Sequence, residues 1–147
     1  MDTKGRLEND LKTAIRSNDE LRKRTLRMAL AAIRLVEVDK GSSLDEAGTL
    51  NVLQKEVKSR QESIEDAQRA ERSDLVNANR AEMEVLEEYL PKQLSPEELE
   101  LLARQTIADV GASSIREMGQ VMKVLIPRLE NRATGDQASQ VVRRLLQ

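Results

Sequence analysis

Three groups of residues in this chain have types and spacings that could do chemistry. Lys123, Arg128, Arg132, Arg143 and Arg144 crowd the C-terminal end. As a set of cations they could meet a row of phosphate groups. Arg24, Arg27 and Arg34 come close together on a helical projection and form a second cationic strip. Glu82, Glu87 and Glu88 are the carboxylates that could share acid–base work. Each group also has an ordinary reading. Cations near the C-terminal ends of helices are mildly favourable whatever they bind, and a strip of three arginines is first a solvated face.

The acid–base reading is the weakest on chemical grounds. The chain contains no histidine and no cysteine. It therefore has no disulfide, no Cys/His zinc site, and neither a Ser-His-Asp nor a Cys-His nucleophile. Carboxylates or lysines would have to act as bases near neutral pH, which requires deep burial to shift their pKa values. A 147-residue chain offers little room for that. No metal, no cofactor and no catalytic residue is expected.

The elements that must hold these groups are helices. Only 1% of residues are aromatic, Tyr89 being the sole example, so the core is built from Leu, Ile, Val, Ala and Met. Apolar residues recur at helical spacing, and no strand-like alternation stands between turn signals. Four Ser-x-x-Glu patterns, at Ser17/Glu20, Ser43/Glu46, Ser95/Glu98 and Ser114/Glu117, predict capping boxes. Gly41, Pro91 and Gly111 predict stops.

A first helix is predicted from about residue 4 to 16, and a second, apolar over a broad arc, from 18 to 40. A third runs from 44 past 64 and a fourth from 73 to 89, together forming a long hairpin. The charged stretch from Arg60 to Arg72 reads as a thin segment projecting into solvent. Leu90-Pro91-Lys92-Gln93-Leu94 reads as a hinge between the domains. The expected architecture is all-α: an N-terminal helical domain over residues 1–94, followed by a small three-helix domain over residues 95–147. Within the latter, Met118 and Met122 are core, Gly119 marks a close helix crossing, and Pro127 bends or ends its helix. Tyr89 reads as packing between the domains or as a stacking platform.

Charge is uneven along the chain. Residues 1–40 hold 10 basic and 7 acidic groups, residues 41–100 hold 7 and 15, and residues 101–147 hold 7 and 4. Net charges of +3, −8 and +3 follow, so an anionic ligand should prefer the ends. No apolar run approaches the roughly 20 residues of a membrane span. Asp2, Glu8 and Asp10 break up any leader-like N-terminus, which predicts a cytoplasmic protein.

Several motifs together carry a family resemblance. They are the run from Thr25 through Ile33 to Glu37, Lys58 and Arg60, Arg72-Ser73-Asp74-Leu75, and Glu82-x-x-x-Leu86-x-x-Tyr89-Leu90-Pro91-x-Gln93-Leu94. Near the end come Met118-Gly119-x-Val121-Met122, Pro127, Arg132-Ala133, Gly135, Val141, Val142 and Leu145. In length, motif order and domain order the chain resembles the GatB/YqeY family. That family joins small freestanding proteins with the tail of the B subunit of the tRNA-dependent amidotransferase. Where the family usually reads Gly-Arg-Ala-Asp-Gly, this chain reads Asn131-Arg132-Ala133-Thr134-Gly135. Asn tolerates a left-handed turn, whereas losing the aspartate puts its cap in question.

The resemblance implies a tail that helps hold tRNA while other domains do the chemistry. Freestanding members carry an amidotransferase-like label: carbon–nitrogen ligase activity with glutamine as amido-N donor. This chain has no phosphate-cradling G-x-x-x-x-G-K loop, no amidase signature and no glutaminase pair. The expectation is a noncatalytic, tRNA-associated helical module, with Lys123, Arg128, Arg132, Arg143 and Arg144 as its tRNA contacts. Arg24, Arg27 and Arg34 read first as a solvated strip, with tRNA or partner contact as the lesser alternative. A protein-interaction adaptor that uses the charged 60–80 hairpin and makes no RNA contact is the alternative; a protein partner in translation or tRNA amidation is also expected. With almost no aromatic residue to stack bases, any RNA contact would be to folded backbone shape.

Overall fold

Five of the seven helices here begin where a short polar side chain accepts an amide proton that the first turn leaves unpaired. The computed structural model describes residues 1–147 and contains α1 (Thr3–Ser17), α2 (Glu20–Lys40), α3 (Glu46–Arg69), α4 (Ser73–Glu87), α5 (Pro96–Val110), α6 (Met118–Leu129) and α7 (Gly135–Leu146). A single 3₁₀ turn, Ile115–Glu117, precedes α6, and there is no strand. The protein is all-α, as its periodicity predicts.

The caps differ from the sequence pattern at three of four places. Ser95 and Glu98 form the full reciprocal box. Elsewhere an aspartate closer to the helix takes the role: Asp19 accepts from the Arg22 amide and Asp45 from the Gly48 amide. Glu46, released from capping, reaches across to accept from the amide and hydroxyl of Thr3. Ser17 sits in the last turn of α1, its hydroxyl donating to the Ala14 carbonyl. Ser114 makes no side-chain cap, and Glu117 instead accepts from the amide and hydroxyl of Ser113.

The chain divides into two compact units, Met1–Leu90 and Pro91–Gln147. In the first, Leu7, Leu26, Ala29, Ile33, Leu53, Val85, Leu86 and Tyr89 form one apolar cluster drawn from all four helices. α3 and α4 pack along each other as a hairpin, joined through Glu71 in a left-handed conformation (φ 55°). The stretch after Arg60 is not the thin solvent projection that its charge pattern predicts. Ile64 and Ala67 are buried against the neighbouring helix, and Arg60 itself is only 6% exposed.

Arg60 survives burial because partners surround it. Its guanidinium pairs with Glu56 one turn back and lies 3.5 Å from Glu82 on α4. It also reaches the Met28 sulfur on α2, at 3.7 Å. Arg24 approaches the same Glu82 from the exposed side at 3.1 Å. Tyr89 is likewise internal to this unit and neither an interdomain pack nor a stacking platform. Its hydroxyl donates to Asp10, and the Arg6 guanidinium lies 5.0 Å from its ring centroid. Burial, reinforced by the Asp10 carboxylate, pushes the phenol well above its ordinary pKa.

In the second unit, α5, α6 and α7 enclose Leu99, Ala103, Val121, Leu125, Leu129, Ala138 and Val142. Met118 and Met122 pack against this cluster as partly buried residues. Pro127 does not end its helix: α6 continues to Leu129 before Glu130 (φ 50°) and Asn131 (φ 59°) turn left-handed. Asn131 thus takes the conformation its position requires. A Cβ at Gly119 would meet nothing within 4 Å, so no helix crosses there. Thr134 caps α7, accepting from the Gln137 amide at 3.1 Å while the Gln137 side chain accepts from the Thr134 amide at 2.9 Å. The box survives because a hydroxyl can replace a carboxylate as the accepting oxygen.

Two stability predictions follow from these contacts. Arg60→Ala should cost about 3 kcal/mol in a denaturant titration, because it removes the packed side chain and strips the half-buried Glu82 of its inner partner. Arg24→Ala, on the exposed side of the same carboxylate, should cost about 1 kcal/mol or less. Equal losses would contradict the assignment of Arg60 as the buried anchor. Thr134→Ala should cost about 1 kcal/mol through the lost cap, whereas Thr134→Asp should stay within about 0.5 kcal/mol of the parent. The thermal melts of the two variants make the comparison.

Candidate nucleic-acid interface

The five C-terminal cations fall into two kinds. Arg128, on the last turn of α6, donates to the Thr106 hydroxyl at 3.1 Å and to Asp109 at 2.8 Å. Arg132, in the turn that follows, donates to the Lys92 carbonyl at 2.8 Å and lies 3.8 Å from Glu98. Arg144, on α7, pairs at 3.0 Å with Glu100, which also takes Arg104 at 3.4 Å. All three carboxylates, Glu98, Glu100 and Asp109, belong to α5. These arginines therefore hold α6, the turn and α7 against one helix. Lys123 and Arg143 are exposed and make no ion pair or side-chain hydrogen bond.

Two of the α5 carboxylates, Glu98 and Glu100, are set to stay ionised. The Ser95 amide and hydroxyl, with Arg132 and Lys92 nearby, hold the Glu98 carboxyl below its ordinary pKa. Arg144 does the same for Glu100, with Arg104 adding to it. A phosphate approaching Arg128, Arg132 or Arg144 meets a partly neutralised charge, although a guanidinium with five N–H donors keeps some of them free. Lys123 and Arg143 offer their full charge.

Arg128 and Arg132 are brought together at a cavity of about 300 Å³, lined also by Leu101, Leu102, Leu129 and Glu98. Leu101 is 68% exposed there. Sequence reasoning missed Arg104 as a member of the cationic surface, since it lies on the helix that supplies the carboxylates. The segment after the first unit is tied in as well: the Leu94 amide donates to the Arg132 carbonyl at 2.7 Å. Residues 91–94 thus belong to the second unit.

The carboxylate trio does not form a site. Glu82 lies between Arg24 and Arg60, Glu88 takes Arg22 through both oxygens at 2.8 Å, and Glu87 is exposed. No group of three or more His, Cys, Asp or Glu side chains is placed to hold a metal ion. No helix is long and apolar enough to cross a membrane.

Compared with known families, residues 4–146 match the model described as YqeY-like protein. The chain belongs to the YqeY-like family. Among its curated relatives are proteins named "Altered inheritance of mitochondria protein 41, mitochondrial". The one from Lachancea thermotolerans is 35% identical over 71% of this chain and 56% of the relative. That of Kluyveromyces lactis is 36% identical over 73% and 60%, and that of Saccharomyces cerevisiae strain YJM789 is 32% identical over 65% and 52%. This YqeY-like chain spans between about half and three-fifths of the length of those relatives.

These mitochondrial names overturn the cytoplasmic expectation. That expectation rested on the acids among the first ten residues. Residues 3–17 are helix α1, with Thr3 and Leu7 buried. Asp2 caps that helix and Asp10 accepts from Tyr89, so these acids have structural duties there.

The division of the cations into paired and free has a direct check. Arg128→Ala should lower stability by roughly 1 kcal/mol, since it leaves Asp109 and Thr106 without their donor. Arg143→Ala should change it by less than about 0.5 kcal/mol. Parallel urea titrations suffice, and the reverse order of effects would refute the division.

Proposed function

We propose that this chain is a noncatalytic helical module that associates with tRNA, in or beside aminoacyl-tRNA amidation or another translation step. The observation that carries the reading is the surface of the second unit. There, Lys123 and Arg143 stand exposed and without partners, and three further arginines are fixed in orientation by α5. Membership of the YqeY-like family supports it, as does the +3 charge of residues 101–147. Contacts would be to phosphates and folded shape, because the sole aromatic ring is buried in the first unit.

In this reading the carbon–nitrogen ligase label describes the reaction served, with chemistry supplied by other domains. The chain has no thiol or imidazole to release ammonia from glutamine. Arginines occupy Glu82 and Glu88, two of its three candidate carboxylates. The mitochondrial names of the yeast relatives make organellar tRNA a sensible probe beside bulk tRNA.

Filter binding of total tRNA at two salt concentrations tests the proposal. Affinity should be modest, indifferent to anticodon sequence and steeply salt-dependent. Lys123→Ala combined with Arg143→Ala should weaken binding and reduce the salt slope by roughly one unit per lost phosphate contact. Lys55→Ala, in the acidic middle, should do little. Binding of tRNA no tighter than that of an unrelated polyanion, or an unaffected double variant, would remove the RNA reading.

A further inference from the structure

The outward face of α2 carries an apolar seam that the first unit covers only at its Met28 end, against Arg60. Met28, Ala31, Leu35 and Val38 follow one another at intervals of three, four and three residues, the spacing of a coiled-coil seam. All four are exposed, Met28 at 44%, Leu35 at 63% and Val38 at 69%. The opposite face of the same helix is complete without them: Leu26, Ala29 and Ile33 are fully buried. Exposed apolar residues scattered singly need no explanation, but four in register along one helix do.

Charge beside the seam narrows what could lie on it. Arg27 and Arg34, seven residues apart and both exposed, occupy equivalent positions along one edge. Ala32 and Asp39 occupy the other. A second copy docked in parallel would set Ala32 and Asp39 opposite the two arginines, answering only one of them. Docked antiparallel, it would set arginine against arginine. A helix carrying carboxylates at both facing positions answers both. The seam is about 15 Å long, and four side chains fall well short of the roughly 800 Å² per partner of a stable interface. Reversible docking of one helix fits that area.

We propose that the Met28–Val38 face of α2 is a docking site for an acidic amphipathic helix of a protein partner, gripped by the apolar seam and steered by Arg27 and Arg34. This surface is separate from the cations of the second unit, so a single chain could join a protein to an RNA.

The test uses the intact protein and two labelled synthetic helical peptides of about 21 residues. Both carry Leu along the seam; one has Glu at the flanking positions and the other has Lys. Fluorescence anisotropy should show the Glu peptide binding at least about tenfold more tightly than the Lys peptide. Leu35→Lys should abolish binding of the Glu peptide while leaving the thermal melt and tRNA binding unchanged. Arg27→Glu with Arg34→Glu should invert the preference between peptides. Equal affinity for the two peptides, no binding of either, or indifference to Leu35→Lys would overturn the proposal. So would a native dimer in sedimentation that Leu35→Lys dissolves, since the occupant would then be a second copy.

Discussion

The guanidinium of Arg60, enclosed between helices, is the constraint around which the first unit is arranged. A buried cation left without its counter-charges costs several kcal/mol, so the helices around it have little freedom to slide. Glu82 must face it from α4, Glu56 from its own helix, and Met28 must close over it from α2. If α4 shifted by one turn, Glu82 would leave and the apolar contacts of Val85 and Leu86 would move with it. A core made almost wholly of aliphatic side chains has many near-equivalent ways to interdigitate. A single charge inside it does not.

Similar ties recur around the unit. Glu37 accepts from the Leu44 amide and from Lys4, linking α2 to the start of α3 and to α1. The Leu44 amide, and then Lys4, hold its carboxyl below the ordinary range. Tyr89 reaches Asp10, and Arg72 holds Asp74 at the start of α4 through two hydrogen bonds. Glu37, Arg60, Arg72, Asp74, Glu82 and Tyr89 are all among the motif residues that mark the family resemblance. In this structure each has a local mechanical duty, and none is left aimed at a ligand.

Legibility in the sequence followed the range of the interaction. The all-α class, the Ser95 box and the left-handed turn at Asn131 rest on neighbours within a few residues, and they were readable. The caps at Asp19 and Asp45 were missed because serine and aspartate lay close together and only packing could choose between them. Arg60 was missed as core, since periodicity counts a charge as surface. The pairing of Arg128, Arg132 and Arg144 with α5 joins residues 19 to 44 positions apart, beyond any spacing rule. The cations themselves were visible; which of them are free was not.

The bond from the Leu94 amide to the Arg132 carbonyl has a consequence for how the chain is made. Every side chain of the first core lies before residue 91, so that unit can close while synthesis continues. The second unit begins with a segment whose partner is 38 residues downstream, and α7 supplies part of its core. It must wait, open, until α7 has emerged. Synthesis halted before α7 emerges would therefore display a finished first unit beside an unfinished second one, which a protease could tell apart.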